Sequence, residues 1–342
     1  MTFRDLVPES LRRYVPRFVK EMYHRQALTP FQRDIERFRQ DGTRFIPPLL
    51  SFPPMVMIDT TTRCNLACSH CPNSVLSGEK GFWGDLDSDL YFKIIDEIAE
   101  ESPGTLVRPF DGGEPLLRKD LPELIGYAKQ KGIHRVSITT NGTILNENVR
   151  RKLIHSGLDH MEVSIDAATS GTYQKIRRSP LYDKVVENTL AYIEESKAFD
   201  PRREVSVSFV LQTENRLELD AFREFWRPRA DRVDIREYHQ HNNLMDEGGR
   251  VERKNLRFRH PCPYLWNRII VHHDGRVRFC EGDWRAEHVL GNVREQTLKE
   301  IWQGELYRRL RQQHIDGTFE HPFCGPCTDW REILWPGLHE SP

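Results

Sequence analysis

The sequence predicts an α/β protein: one main domain of six βα units, a helical segment before it and a small α+β segment after it. Three observations carry this reading. Strand-like apolar runs alternate with helical stretches from residue 55 to residue 237, the pattern of a parallel sheet whose crossovers are helices. The seven cysteines divide into three just after the first strand and four beyond residue 260. The 342 residues are 38% hydrophobic and 30% charged, enough apolar material for one large core or two smaller ones. The expected domains are residues 1–50, 51–245 and 246–342.

The net charge of −1 gives no electrostatic footprint for nucleic acid. No run of 18 apolar residues occurs, so no membrane span is expected. The first residues, Met1-Thr2-Phe3-Arg4-Asp5, lack a signal pattern. The expected location is therefore cytoplasmic, where thiols stay reduced and seven cysteines argue for metal rather than disulfides.

In chain order, Leu11, Val15, Phe18 and Met22 share one helical face, decorated by Arg12, Arg13, Arg17, Lys20 and Arg25; a helix packed on the main domain is preferred over one on a membrane surface. Phe31, Ile35 and Phe38 mark a second helix, and Pro47, Pro48, Pro53 and Pro54 a stiff connector. Strands are expected at 55–60, 106–110, 135–139, 160–165, 204–211 and 232–237, and helices at 90–100, 121–131, 147–156, 182–197 and 217–225. Six units are too few to close a (β/α)8 barrel. The charged stretch Asp246–Arg259 reads as a flexible linker or lid. Arg268–His273, Asp274-Gly275 and Arg276–Phe279 read as a hairpin.

The chemistry starts at Cys64, Cys68 and Cys71, a Cys-x3-Cys-x2-Cys loop at a strand end. Thiolates suit iron–sulfur clusters and zinc. A structural zinc site wants four protein ligands, whereas a [4Fe–4S] cluster on three cysteines leaves one iron open. Asp111-Gly112-Gly113-Glu114-Pro115, Thr139–Thr143 and Ser164-Ile165-Asp166-Ala167 follow at later strand ends, where parallel α/β sheets bind ligands. The paired glycines are expected to let backbone approach a ligand.

Together these motifs resemble those of the radical S-adenosylmethionine (SAM) enzymes. The resemblance implies an open partial (β/α)6 radical SAM barrel. It implies that the open iron binds SAM, whose cleavage gives a 5′-deoxyadenosyl radical that takes a hydrogen atom from substrate. It implies SAM contacts from His70, Gly112, Gly113, Glu114, Asn141, Ser164 and Asp166, with Arg177 preferred over Arg178 as an aid to the SAM carboxylate. Ala167 stands where the family usually has glycine.

Cys262, Cys280, Cys324 and Cys327 form a second set, spaced Cys-x17-Cys-x43-Cys-x2-Cys. Four thiolates close a site, either zinc or a second [4Fe–4S] cluster. With Leu290-Gly291-Asn292-Val293 between them, this part resembles the SPASM and twitch extensions that hold auxiliary clusters; four cysteines imply one auxiliary cluster. A cluster without an open iron can accept an electron. The expected reaction is therefore dehydrogenation of a hydroxylated small molecule (a sugar, cyclitol or aminocyclitol), as in the carbohydrate dehydrogenases this spacing resembles. Glu237, His239 and His241 at the sixth strand's end are candidates for the base. A reductase such as flavodoxin or ferredoxin would supply electrons. Peptide or protein modification and sugar epimerisation are the alternatives within the family: no cysteine is left over to quench an epimerase's radical, and the first 50 residues are short for a peptide-recognition domain. A zinc-bearing interaction module is the alternative from another class.

Overall fold

The computed structural model describes residues 29–251, 256–336 and 338. The first predicted helix, with Leu11 to Met22 and its arginines, lies outside the described residues, as does part of the predicted linker.

Six parallel strands stand side by side in chain order: β1 (Met55–Ile58), β2 (Leu106–Arg108), β3 (Arg135–Thr140), β4 (His160–Ser164), β5 (Glu204–Leu211) and β6 (Arg232–Glu237). Because the order never reverses, right-handed crossovers put the intervening helices on one face of the sheet. That face is apolar. Val107, Val136, Ile138, Met161, Val163, Val205, Val207 and Phe209 are fully buried, each contributing about 1.5–3 kcal/mol. The alternate residues Thr139, Glu162, Ser206, Ser208 and Asp234 line the other face: Thr139 pairs with Glu162, Glu162 with Ser206, and Ser208 with Asp234. A sheet apolar on one side and polar on the other is an open barrel with a hydrophilic lumen.

The crossover helices are α2 (Ser88–Glu101), α3 (Leu121–Gln130), α4 (Glu147–His155), α5 (Ser170–Arg177), α6 (Tyr182–Phe199) and α7 (Leu219–Trp226), preceded by α1 (Thr29–Asp41). Asp87, Asn146 and Thr169 cap α2, α4 and α5 by accepting backbone N–H bonds. The sequence reading omits α5, although Thr169 before Tyr173 and Ile176 is the signal for it.

The C-terminal part does not stand apart from the sheet. The predicted hairpin is β7 (Ile269–Val271) and β8 (Arg276–Arg278), antiparallel through Val271 and Val277, with Gly275 at φ +94° in its turn. β7 also pairs in parallel with β1, Met57 opposite Ile270. With β9 (Val289–Asn292) the sheet runs β6-β5-β4-β3-β2-β1-β7-β8-β9. The last helices are α8 (Leu298–Trp302) and α9 (Glu305–Asp316). Glu97 on α2 accepts the N–H groups of Leu298 and Lys299, both at 2.9 Å, at the start of α8.

The expected face of α1 is the one that packs: Ile35 and Phe38 are buried, and Phe31, Phe38 and Phe45 form edge and tilted ring contacts with Trp335 and Phe258. The proline connector is pinned too, since Trp302 and Gln303 donate to the carbonyls of Leu50 and Ser51. The predicted linker 246–259 is partly anchored. The Arg250 guanidinium is buried in ion pairs with Asp329 and Glu332, which tie this end of the segment to the stretch after the last cysteine.

Candidate active site

The three-cysteine loop follows β1. Asn73 ties its far end back by donating to the carbonyls of Thr62 (3.0 Å) and Gly112 (3.2 Å). Ser69 N–H donates to the Ile176 carbonyl at 2.8 Å, which joins the loop to α5. Asn65, inside the loop, donates to Thr143 (2.9 Å) and accepts from Asn141 (2.8 Å). Asn141 is thus a latch between the β3 end and the cysteine loop.

Arg177 lies between the motifs. Its Nη1 donates to the Cys68 sulfur at 3.7 Å, and its Nη2 is 2.6 Å from Asp166 Oδ2. His70 Nε2 is 3.5 Å from the same carboxylate oxygen, and its Nδ1 accepts from Gln212 at 3.2 Å. Burial, then Arg177, pushes the His70 imidazole down to about 3. Asp166 has φ +64°, whereas Ala167 is not among the positive-φ residues. The left-handed turn therefore falls on an aspartate, which tolerates it, and alanine at 167 carries no strain. Ser164 accepts from Ser208 at 3.2 Å.

The glycine pair is also constrained by the packing around it. A Cβ on Gly113 would lie 2.4 Å from the Thr61 carbonyl oxygen and 2.7 Å from that of Arg63. Gly113 is thus required by backbone packed on the entry to the cysteine loop. Gly112 faces the Trp284 ring, 3.1 Å from where its Cβ would be. Glu114 is buried and accepts from Leu116 N (3.0 Å), Thr140 Oγ1 (2.7 Å) and Asn141 N (2.7 Å). Its carboxylate clamps the β2 and β3 loops together.

Cys262, Cys280, Cys324 and Cys327 line one cavity, walled by Tyr264, Leu265, Phe279, Phe323, Trp330 and Ile333. Arg259 is the cation in that wall, held by the carbonyls of Cys324 (2.5 Å) and Gly325 (3.0 Å). Cys262 N–H donates to His314 at 3.1 Å. Among the described residues no group of three or more His, Cys, Asp or Glu converges on a single-ion site; the four thiols surround a space instead.

Burial raises all seven thiols, Cys64 to about 11 and Cys262 to about 12. Each stays protonated unless a metal displaces the proton. Both sites fit thiolate-bound clusters: a guanidinium stands at each, and Arg177 Nε and Tyr173 Oη beside the first are buried without partners.

The candidate bases sit on the segment leaving β6. Glu237 and His239 are half-buried, and His239 and His241 rings are 6.1 Å apart. His241 Nδ1 accepts from Trp284 Nε1 at 3.2 Å. Burial, then His239, lowers this imidazole to about 4, so its neutral ring, accepting at Nδ1, carries the proton on Nε2. His241, Asn242 and Asn243 are consecutively left-handed, at φ +48°, +55° and +68°. Asp329 holds this turn, accepting from Gln240 N (2.8 Å) and Asn242 N (3.3 Å), and stands two residues past Cys327. The candidate bases are thus tied to the four-cysteine site.

A buried guanidinium that the sequence reading missed joins the two sites. Arg278 Nη1 donates to the carbonyls of Cys280 (3.1 Å), Glu281 (3.4 Å) and Asp283 (3.3 Å). Its Nη2 donates to Asp59 (3.1 Å) and to Asp111. Only its place two residues before a cysteine could have flagged it.

Comparison with known proteins accords with this geometry. The radical SAM superfamily profile matches residues 58–225, and that of an iron–sulfur cluster-binding SPASM domain matches residues 262–328. Among curated relatives, Fe-coproporphyrin III synthase of Methanosarcina barkeri is 39% identical over 137 residues, covering 39% of this chain and 33% of that protein. PqqA peptide cyclase of Granulibacter bethesdensis is 38% identical over 113 residues, 33% of this chain and 29% of that one. The matched segments thus span about a third of these relatives' length. Among solved structures, BtrN in complex with AdoMet (SAM) and 2-DOIA superposes with TM-score 0.55 at 20% identity, covering 81% of this chain and 92% of BtrN. SuiB of Streptococcus suis bound to the precursor peptide SuiA gives TM-score 0.61 at 15% identity, with coverage of 84% and 71%. Among the described residues no helix is long and apolar enough to cross a membrane. The two domains imply SAM and two [4Fe–4S] clusters as cofactors. The chain belongs to the radical SAM superfamily and carries a SPASM iron–sulfur domain behind its SAM domain.

Proposed function

We propose that this protein oxidises a hydroxylated small molecule of the sugar, cyclitol or aminocyclitol class to the corresponding carbonyl compound. When bound, SAM and the three-cysteine cluster supply hydrogen-atom abstraction, and the four-cysteine cluster supplies a place for one electron. Cys64, Cys68 and Cys71 would hold the first cluster, and Cys262, Cys280, Cys324 and Cys327 the second. The observation that carries the reading is the complete thiol shell of the second site, with all four cysteines on one cavity. A saturated shell leaves no iron for substrate and suits electron acceptance.

The chain's own part is to take the hydroxyl proton and keep the reacting carbon away from water. His239 is the candidate base, because the neighbouring His241 is committed to Trp284 through Nδ1. Glu237, at the end of β6, is the second candidate. Oxidation at a carbon bearing O–H would then balance: a hydrogen atom lost from carbon, a proton taken by the side chain, and one electron that a cluster held by Cys262, Cys280, Cys324 and Cys327 would accept.

The product should weigh two hydrogens less than the substrate, and Cys324→Ala should cleave SAM without forming it. Unchanged product mass would favour epimerisation, and full product formation by Cys324→Ala would overturn the electron-acceptor role. Activity retained in both His239→Ala and Glu237→Ala would remove these residues from the mechanism. Peptide modification is the second reading, favoured by the match to PqqA peptide cyclase.

A further inference from the structure

Of the guanidiniums packed around the strand ends and the two cysteine sites, five face a carboxylate, and Arg259 in the wall of the four-cysteine cavity is held instead by the carbonyls of Cys324 and Gly325. Arg177 pairs with Asp166, Arg236 with Glu162, Arg250 with Glu332, Arg268 with Glu281, and Arg278 with Asp59 and Asp111. Arg108, the last residue of β2, differs. Among the described residues no carboxylate forms an ion pair with it within 4.0 Å. Of its five N–H donors, one is used, from Nη2 to Thr139 Oγ1 at 3.1 Å. Its Nε is shut off from solvent without an acceptor. Phe110 supports the fork from one side, 4.5 Å from ring centroid to guanidinium carbon.

Its direction is set by the sheet. Val107 faces the core and is fully buried, so Arg108 projects to the opposite, polar face. There it meets Thr139 of β3, on the face that also carries Glu162 of β4 and, across the lumen, Arg236 of β6. It keeps some solvent-accessible surface. Glu162 and Glu281 are the opposite charges that act on it, and both already serve another arginine directly. Water can satisfy an N–H but cannot neutralise a guanidinium, and a desolvated charge without a partner is costly. An oxyanion that meets the unused donors satisfies both requirements, since the guanidinium fork matches phosphate and carboxylate alike.

We propose that Arg108 receives an anionic group of the substrate in the barrel lumen, so that the molecule oxidised carries a phosphate or a carboxylate besides its hydroxyls. The proposal rests on the oxidation of a hydroxylated substrate and narrows its class to anionic ones.

The test is the thermal unfolding of anaerobically prepared protein with both clusters and SAM, titrated with inorganic phosphate or with acetate, against potassium chloride of equal ionic strength. An oxyanion saturating the site should raise the midpoint by about 3 °C at a hundredfold excess over half-saturation, and chloride should not. Arg108→Gln should abolish the rise. Arg108→Lys, which keeps the charge without the fork, should retain part of it and serves if the glutamine variant does not load its clusters. A response to phosphate alone assigns a phosphorylated substrate, to acetate alone a carboxylated one, and to both a pocket that takes either. The proposal is overturned if neither anion exceeds chloride, or if Arg108→Gln keeps the full response. The parent reading is judged separately, by product mass: an enzyme that dehydrogenates only uncharged polyols keeps that reading and refutes this one.

Discussion

Replacing Arg278 by methionine tests whether one side chain couples the two cysteine sites. Methionine keeps most of the volume and removes every donor. Arg278 is 1% exposed, and Asp59 is fully buried. Its loss leaves two carboxylates without their cation, and breaking a buried pair from one side costs about 3–5 kcal/mol. Three carbonyls of the 280–283 loop also lose a donor, at about 1 kcal/mol each if water does not replace it. Against this, burial already pushes Asp111 up to about 7 despite Arg278, so without the guanidinium it takes a proton and recovers part of the loss. The net expectation is about 4 kcal/mol at pH 8 and less at pH 6, where Asp111 is more readily neutral. Denaturant unfolding of the single variants Arg278→Met and Asp111→Asn and of the double variant gives the coupling energy. A coupling of about 2 kcal/mol is expected, together with weakened SAM binding measured in the same preparations. Additivity within about 0.5 kcal/mol, or SAM affinity unchanged in Arg278→Met, would refute the coupling.

Three further outcomes are expected. Gly113→Ala should lower bound iron from about eight to about four per chain, because the new methyl group meets the Thr61 and Arg63 carbonyls at 2.4 and 2.7 Å and displaces the first cysteine loop; iron analysis after anaerobic reconstitution reads it directly. His160 is buried between Ser137 (2.7 Å) and Ser206 (2.9 Å), and burial, then Arg232, lowers it to about 4. The unfolded chain protonates first, so this contribution is present above pH 6.5 and is lost as pH falls toward 4. Wild type should lose about 2 kcal/mol more than His160→Gln between pH 7 and pH 5; equal pH profiles in denaturant titrations would reject this. Trp284→Phe removes the N–H that His241 Nδ1 accepts, and should raise the His241 pKa, read from the imidazole proton shifts by NMR in the diamagnetic, cluster-free protein.

What could be read in the sequence was local. The six strands were legible because their helix-facing residues, such as Val136 and Ile138 or Val205 and Val207, had to be apolar and alternate with polar lumen residues. The three-cysteine loop was legible because its ligands are short-range neighbours, and the second set because four cysteines remained beyond residue 260. The reason for Gly113 was not legible, since the Thr61 and Arg63 carbonyls come from 50 residues earlier. Nor was the turn at Asp166, where the left-handed residue is one position away from the glycine of the family pattern.

The order of strands along the chain, the cysteine spacing and the chemistry those thiols can support were thus fixed by residue type and proximity. Which charges meet was decided by folding. Arg278 finds Asp59 across 219 positions, β7 finds β1 across more than 200, and Arg177 is occupied by Asp166 and Cys68. A guanidinium pairs with whatever carboxylate the packed backbone brings within reach. For that reason Arg108, unremarkable in the sequence, becomes conspicuous only when five of its neighbours are seen to be paired with carboxylates and Arg259 with carbonyls.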